Sequence, residues 1–444
     1  MKIRSFLIFS AGLLAISFNS HAANAPITTI ASVTACPGSV VNVPITVTNF
    51  TGIAAITLTI DYDPAFLTFN SCTSSTLSPA PSATATPIPN SNLYHITISW
   101  FKYPGSTTLV NGSTILTMNF SYINGSTALT FNDIDGQGTC EYGDVSLYPP
   151  MNDLPTANYY YNGSVGSKAI TATGTITGSQ EVIRGTTGLI YSTTTIANAT
   201  SYTWTVPTGF TITAGSGTTS ITVTATSSAV SGAVTVKGTN TCGNGPVSSL
   251  NVEIVKPLSV TALLESLYNG TNLNKAKNAT GDQFTGSTAD QVSIELHNST
   301  NYNTIVYTKN NVNLSTAGVA NANIPITYSS SYYITVKHRN SIETVSASPV
   351  SFSGTSISYS FDTQAKAYGN NLKLLATGVY GIFAGDVNLD GIVEASDLIL
   401  VDNAAANFLT GYLTTDVNGD GHVNGLDQTM AKNNAAAFVS TKKP

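Results

Sequence analysis

Asp386-Val387-Asn388-Leu389-Asp390-Gly391-Ile392-Val393-Glu394-Ala395-Ser396-Asp397 returns, 30 positions on, as Asp416-Val417-Asn418-Gly419-Asp420-Gly421-His422-Val423-Asn424-Gly425-Leu426-Asp427. In each copy oxygen-bearing side chains occupy positions 1, 3, 5, 9 and 12, and glycine occupies position 6. A tight loop aims alternate side chains at one point only if a residue tolerant of positive φ makes the turn. A hard cation wants about six to eight oxygens around it, which is what such spacing offers.

The pattern is that of an EF-hand calcium loop with Asp in place of the usual Glu at position 12. The expected ligands are the side chains of Asp386, Asn388, Asp390, Glu394 and Asp397 in the first loop, with the carbonyl of Ile392. Asp416, Asn418, Asp420, Asn424 and Asp427, with the carbonyl of His422, make the second set, for two calcium ions in all. Val393 and Val423, at position 8, are placed to pack the loops against each other. The repeat continues through Asn403/Asn433, Ala405/Ala435 and Phe408/Phe438, so a short helix follows each loop. Leu398, Val401, Ala405 and Phe408 form an apolar stripe on the first; Gln428, Ala431, Ala435 and Phe438 hold the matching places on the second.

Two loop-plus-helix units without entering helices resemble a dockerin, the calcium-folded plug with which cellulosome-type proteins dock into cohesins. The resemblance covers 385–444 and implies a cohesin-type protein partner. It places the docking face at positions 10 and 11 of each loop, Ala395-Ser396 and Gly425-Leu426. These pairs differ, so the two halves present different faces.

Outward from this tail the chain is poor in charge: 9% Asp, Glu, Lys and Arg in 444 residues, against an ordinary quarter. Residues 1–22 read as a signal peptide, with Lys2 and Arg4 before the apolar run Phe6–Phe18 and a cleavage site near Ala22. No later stretch is long and apolar enough to span a membrane, so the expected location is secreted or cell-surface. The net charge is −6, and 385–444 holds eight acids against three lysines. There is no basic patch, which excludes nucleic acid as a partner.

The expected fold is mainly β: serial β-sandwiches and a small all-α calcium-binding domain at the C-terminus, bounded at 23–166, 167–256, 257–384 and 385–444. In 23–166, Val41, Val43, Ile45 and Val47 alternate with polar residues, as do Ile56, Leu58, Ile60 and Tyr62; they read as two antiparallel strands joined through Asn49–Gly52. Pro37-Gly38, the run Val41–Val47, Asp61-Tyr62-Asp63-Pro64 and Asn162-Gly163-Ser164-Val165 together resemble a cohesin or a related carbohydrate-binding module. That likeness implies a jelly-roll sandwich and a polysaccharide or dockerin partner. Trp100 lies in the alternating series with Ile96 and Ile98 and reads as core, although Trp100, Phe101 and Tyr103 also suggest a sugar platform. Asp61 and Asp63 precede a turn with no cluster of aromatics beside them, so glycosidase chemistry is not indicated. Asp133, Asp135, Glu141 and Asp144 read as a polar loop, with a bound calcium as the sharper alternative.

In 167–256, Tyr202, Trp204 and Val206 share one face of a strand, and Trp204 is the expected core of an immunoglobulin-like sandwich. The run Ala199–Pro207, Ile221–Val223 and Asn240–Gly243 resembles the PKD-like repeats of bacterial surface proteins, which are spacers. Those repeats commonly pair the late cysteine with an upstream one; here the upstream region reads Glu181–Gly185, so Cys242 is expected to be unpaired. Of the four cysteines, Cys36 and Cys140 are the expected bridge. In 257–384 strands are expected at Val260–Leu263, Val292–Leu296, Ala322–Ile326, Tyr332–Arg339 and Ile357–Phe361, with Ile334 and Val336 inward and Lys337 and Arg339 outward. His297 and His338 lack a nucleophile or metal partner nearby in sequence and read as satisfied histidines.

The expectation is a non-catalytic extracellular adaptor or scaffold in polysaccharide-degrading or surface assemblies. The alternative is a surface adhesin or carbohydrate-binding protein with a calcium-stabilised C-terminus.

Overall fold

The structure, a computed structural model, describes residues 23–133, 139–146 and 150–444; the expected signal peptide lies outside them. The protein is mainly β, with two short helices at its C-terminal end. It divides into two compact units: residues up to Gly174 with Thr195–Thr203 and Lys237–Ser248, and Thr175–Thr194 with Trp204–Val236 and Ser249–Pro444.

The first unit is built on a sandwich of two sheets. Its strands are β1 (Ile27–Ile30), β2 (Ser32–Ala35), β3 (Val40–Thr48), β4 (Ala55–Tyr62), β5 (Leu67–Thr73) and β6 (Ser82–Pro87). They continue as β7 (Tyr94–Phe101), β8 (Ser113–Tyr122), β9 (Thr127–Phe131), β10 (Glu141–Gly143), β11 (Tyr160–Tyr161) and β12 (Gly163–Ser167). One sheet runs β11-β1-β3-β8-β5; the other runs β2-β12-β9-β4-β7-β6, with β10 on β4. The alternation read from the sequence holds: Val43, Ile45, Leu58 and Ile60 are fully buried, and so are Ile96 and Ile98.

β3 and β4 do not pair with each other. They lie in opposite sheets, because the Asn49–Gly52 turn crosses between layers and buries Phe50 completely. Asn49 (φ 62°) and Gly52 (φ 70°) supply the two left-handed residues of that crossing. Trp100 is core at 4% exposed, its Nε1 donating to the Pro79 carbonyl at 2.7 Å.

The disulfide joins Cys36 to Cys242, 206 residues apart. Both expectations for these cysteines are corrected: Cys140 is a buried free thiol, and Cys242 is paired. The Cys140 Sγ accepts from the Thr59 amide at 3.3 Å, and burial pushes its pKa up to about 12. Cys72 is the second free thiol.

In the second unit a four-stranded sheet orders Ile176–Thr177, Leu189–Thr193, Ser220–Ala225 and Phe210–Ala214. Trp204 is 8% exposed, as expected of a core residue. The strand Gly243–Thr261 belongs to this unit from Ser249 on and there runs into a larger sheet. From Val255 onward it pairs antiparallel with Val319–Pro325, and from Leu258 onward parallel with Ile357–Ser360. Thr288–Asn298 lies between Ile305–Ser315 and Ser331–His338, and Ser341–Val345 closes the run. Leu258, Ile294, Leu296, Ile334 and Phe352 fill the core. The helices α1 (Ala395–Ala406) and α2 (Gly425–Ala436) pack around Val387, Val401, Val417, Val423 and Ala431.

Thiol titration of the denatured, unreduced protein is expected to find two free cysteines. Cys242→Ser is expected to cost about 2–4 kcal/mol in denaturant unfolding, and Cys72→Ser far less.

Candidate metal centre and docking face

Each loop is shaped by the residues that the pattern singled out. Gly391 (φ 88°) and Gly421 (φ 85°) make the turn at position 6, and their amides donate to Oδ2 of Asp386 and Asp416 at 3.1 Å. Asn388 and Asn418 accept from the amides of Asp390 and Asp420 at 2.9 Å. Asp390 and Asp420 in turn accept from the amides at position 7, at 3.0 Å. Ile392 is exposed, as is His422, so each offers the loop interior only its carbonyl.

Position 12 does two jobs. Asp397 accepts from the amides of Val387 (2.9 Å), Asn388 (3.2 Å) and Glu394 (3.0 Å); Asp427 accepts from those of Asn418 (2.9 Å) and Asn424 (2.8 Å). Both sit at the third position of their helices and cap the helix start. A carboxylate tied to its own loop this closely suits the shorter Asp in place of Glu.

The loop carboxylates fit a hard cation. Asp386 is 2% exposed and Asp416, Asp397 and Asp427 are fully buried, while Oδ1 of both Asp386 and Asp416 has no hydrogen-bond partner. Burial, then the charge of Asp397, pushes Asp386 up to about 6. Burial pushes Asp416 to about 6 as well, against the opposing pull of Arg339. Buried carboxylates with unmet oxygens are costly unless positive charge arrives. Among the described residues no three His, Cys, Asp or Glu side chains converge as a ready-made cage; the loop amides hold the oxygens instead.

The position 8 valines pack otherwise than expected. The Val423 amide donates to Leu409, just after α1, and the Val393 amide to Val439, just after α2, at 3.0 and 2.9 Å. Each loop is therefore closed by the strand-like segment that follows the other loop's helix, and Val393 and Val423 lie in separate clusters.

The two loops differ in cover. Asn388, Leu389 and Asp390 are exposed. Gly419, at the position of Leu389, is pressed against Leu267: a Cβ there would lie 2.3 Å from its side chain. The Lys277 amide donates to the Gly419 carbonyl at 2.9 Å. Leu389 and Gly419 share positive φ (62° and 73°), so only the open loop tolerates a side chain.

Arg339 was expected to face outward; its side chain is only 10% exposed and turns onto the second loop. Nη1 donates to the carbonyls of Leu413 and Asp416, and Asn340 Nδ2 donates to the latter at 2.9 Å. The guanidinium lies 4.5 Å over the Tyr412 ring. Behind it Asp290, fully buried, receives His338 Nε2 at 3.0 Å and Arg339 Nε at 3.3 Å. Burial pushes Asp290 up, but His338, Arg339 and the Tyr412 hydroxyl outweigh it and hold it down at about 2. His297 is likewise satisfied, by the Tyr302 carbonyl and Glu295.

On the helices Val401 and Ala404, Ala431 and Asn434 face inward. Phe408 and Phe438 leave the expected stripe: they are 86% and 88% exposed, with φ of 51° and 55°. Each ends its helix in the left-handed position usually held by glycine: the amides of Phe408 and Leu409 donate to Ala405 and Ala404, those of Phe438 and Val439 to Ala435 and Asn434. A side chain in that conformation costs about 1–2 kcal/mol. Of the expected docking residues, Ala395 and Gly425 are exposed, Leu426 is 63% exposed and Ser396 is half-buried.

Asp61 and Asp63 are engaged separately. Asp61 is bound by His95 and Asn132, while Asp63 accepts from the Ala65 amide at 2.8 Å to make the turn. Asp135 lies outside the described residues.

With this geometry in hand, known families identify two parts of the chain. Residues 384–436 match the Dockerin type I domain family, whose members bind calcium, and 169–252 match the PKD-like domain family. No curated protein matches the chain. Solved structures similar to it include a chain of a type I cohesin–dockerin complex from Clostridium thermocellum (16% identity, TM-score 0.26, 32% of this chain and 99% of that one). Another belongs to a complex of the sixth cohesin of Acetivibrio cellulolyticus scaffoldin B with the Cel5 dockerin (20%, 0.26, 32% and 98%). A third is the non-cellulosomal cohesin of the archaeon Archaeoglobus fulgidus (21%, 0.24, 32% and 91%). Among the described residues no helix is long and apolar enough to cross a membrane.

In chelator, the folded protein keeps protons on Asp386 and Asp416 that the unfolded chain releases above about pH 4, so the stability of the tail is expected to fall as pH rises from there to about 6. With calcium the trend reverses, because binding displaces those protons. Thermal melts across pH 4–7, with and without chelator, measure both slopes. Gly419→Leu is expected to lower the calcium-dependent melting shift, while Leu389→Gly leaves it in place.

Proposed function

We propose that this protein is a non-catalytic extracellular adaptor, organised as a signal peptide (1–22), a cohesin-like sandwich (23–166), a PKD-like spacer (167–256), a third sandwich (257–384) and a dockerin-like tail (385–444). The tail binds two calcium ions, one per loop, through the twelve residues named above, and docks onto a cohesin-type receptor. The unmet Oδ1 atoms of Asp386 and Asp416, repeated at the same loop position, carry the reading. The dockerin family match supports it, and the Cys36–Cys242 bridge supports export to an oxidising compartment. The receptor contacts Ala395, Ser396, Gly425 and Leu426, with Phe408 and Phe438 as exposed aromatic anchors. Two strained aromatics kept in solvent point to a use outside the fold itself.

The N-terminal sandwich takes a dockerin or a polysaccharide. One observation favours the adhesin alternative: Phe101 (50% exposed) and Tyr103 (75%) hold parallel rings, 8° apart in plane with centroids 6.2 Å apart. Polysaccharide pull-down by the wild type, lost in Tyr103→Ala, favours glycan binding; cohesin–dockerin pull-down alone favours the scaffold.

Asp386→Ala with Asp416→Ala is expected to abolish calcium-dependent receptor binding. Phe408→Gly is expected to weaken binding at least tenfold without lowering the melting temperature, because glycine relieves the left-handed strain. A panel of cohesins read by calorimetry tests both; a tail that binds calcium and no cohesin overturns the docking role.

A further inference from the structure

A cleft of about 510 Å³ opens in the second unit beside the strand Gly243–Thr261. At its floor Lys256 occupies an inward strand position, in register with the core residues Leu258 and Val260, and is 4% exposed. An inward position at that point of a sandwich ordinarily carries an apolar side chain. The ammonium donates to the Phe352 carbonyl, which uses one of its three N–H groups. Arg184 lines the same cleft, its Nε fixed on the Ala229 carbonyl at 2.9 Å. Among the described residues no aspartate or glutamate lines the cleft. Burial, then the like charge of Arg184, lowers the pKa of Lys256. Two cations brought together without a carboxylate form a site short of one negative charge.

The remaining walls narrow the chemistry. Ser227, Ser329, Ser353 and Thr355 offer hydroxyls, and Ile183 and Ile326 offer aliphatic surface. The planar guanidinium matches a carboxylate edge to edge, the hydroxyls match ring hydroxyls, and the aliphatic walls match the C–H face of a sugar. The volume suits one or two sugar rings. We propose that this cleft binds the carboxylate of an acidic sugar, a uronate at a chain end or within a polysaccharide, with Arg184 and Lys256 as its anion-binding pair. The site is independent of the tail and of its docking role.

Calorimetry on the full-length protein with calcium present, at fixed ionic strength, uses galacturonate and glucuronate as probes and glucose and inorganic phosphate as controls. Millimolar binding of a uronate, at least fivefold tighter than either control and weakened at least tenfold by Arg184→Gln, is the expected result. Lys256→Met is expected to remove binding and raise the melting temperature, since it deletes a buried ammonium that lacks an acid; a merely structural lysine would give a lower one. No uronate binding, binding unchanged in Arg184→Gln, or glucose or phosphate binding as tight as the uronate's overturns the assignment. Should Lys256→Met not fold, Arg184→Gln decides alone, because its side chain is exposed.

Discussion

A buried carboxylate, Asp290, ties the C-terminal region to the sheet before it, alongside the Glu265 carboxylate that accepts from Asn434. Asp290 draws His338, Arg339 and the Tyr412 hydroxyl onto itself, and Arg339 carries the connection on to the carbonyls that open the second loop. Replacing such a network with apolar residues is often neutral, but removing one member leaves a buried charge uncompensated, at about 3–5 kcal/mol. The network therefore says less about how stable the fold is than about where the loop must sit.

That anchorage separates two loops that are nearly identical in sequence. The second is roofed by Leu267, Lys277 and Arg339, and a cation already stands near its first aspartate, Nη2 lying 4.0 Å from Asp416 Oδ2. The first has exposed residues at positions 3 to 5, and the charges that act on its first aspartate are those of Asp397 and Asp390. The repeat supplies equivalent donors, and the surrounding sandwich makes them inequivalent in field and access. The field at the open loop is set by its own carboxylates, whereas the roofed loop also carries the fixed positive charge of Arg339 beside its first aspartate.

Local periodicity made the loops, the helices after them and the alternating strands legible, because each is written within a dozen residues. What escaped depends on partners far along the chain. β3 and β4 read as two strands joined by a turn, but their separate sheets did not show, because Phe50 turns the chain into the opposite layer and nothing in Asn49–Gly52 names a strand partner. Arg339 read as a solvent-facing residue by strand parity, but parity ends with the strand at His338. Phe408 and Phe438 matched a helical stripe by spacing, although each falls two residues past its helix, where the backbone has already turned left-handed. A bulky residue at a place that favours glycine, repeated at the same offset, was the available signal. Asp290 and Lys256 left no local signature, since a lone charge in a strand reads as surface until the fold buries it.

The cysteine bridge has a mechanical consequence. A protein anchored at one end and loaded at the other is pulled along its backbone, and domains in series lengthen as they yield. Here the covalent bond between Cys36 and Cys242 short-circuits a separation of 206 residues. Roughly 700 Å of chain, at about 3.4 Å per extended residue, is thereby withheld from any stretch, so tension applied across the ends passes through sulfur and leaves the enclosed strands slack.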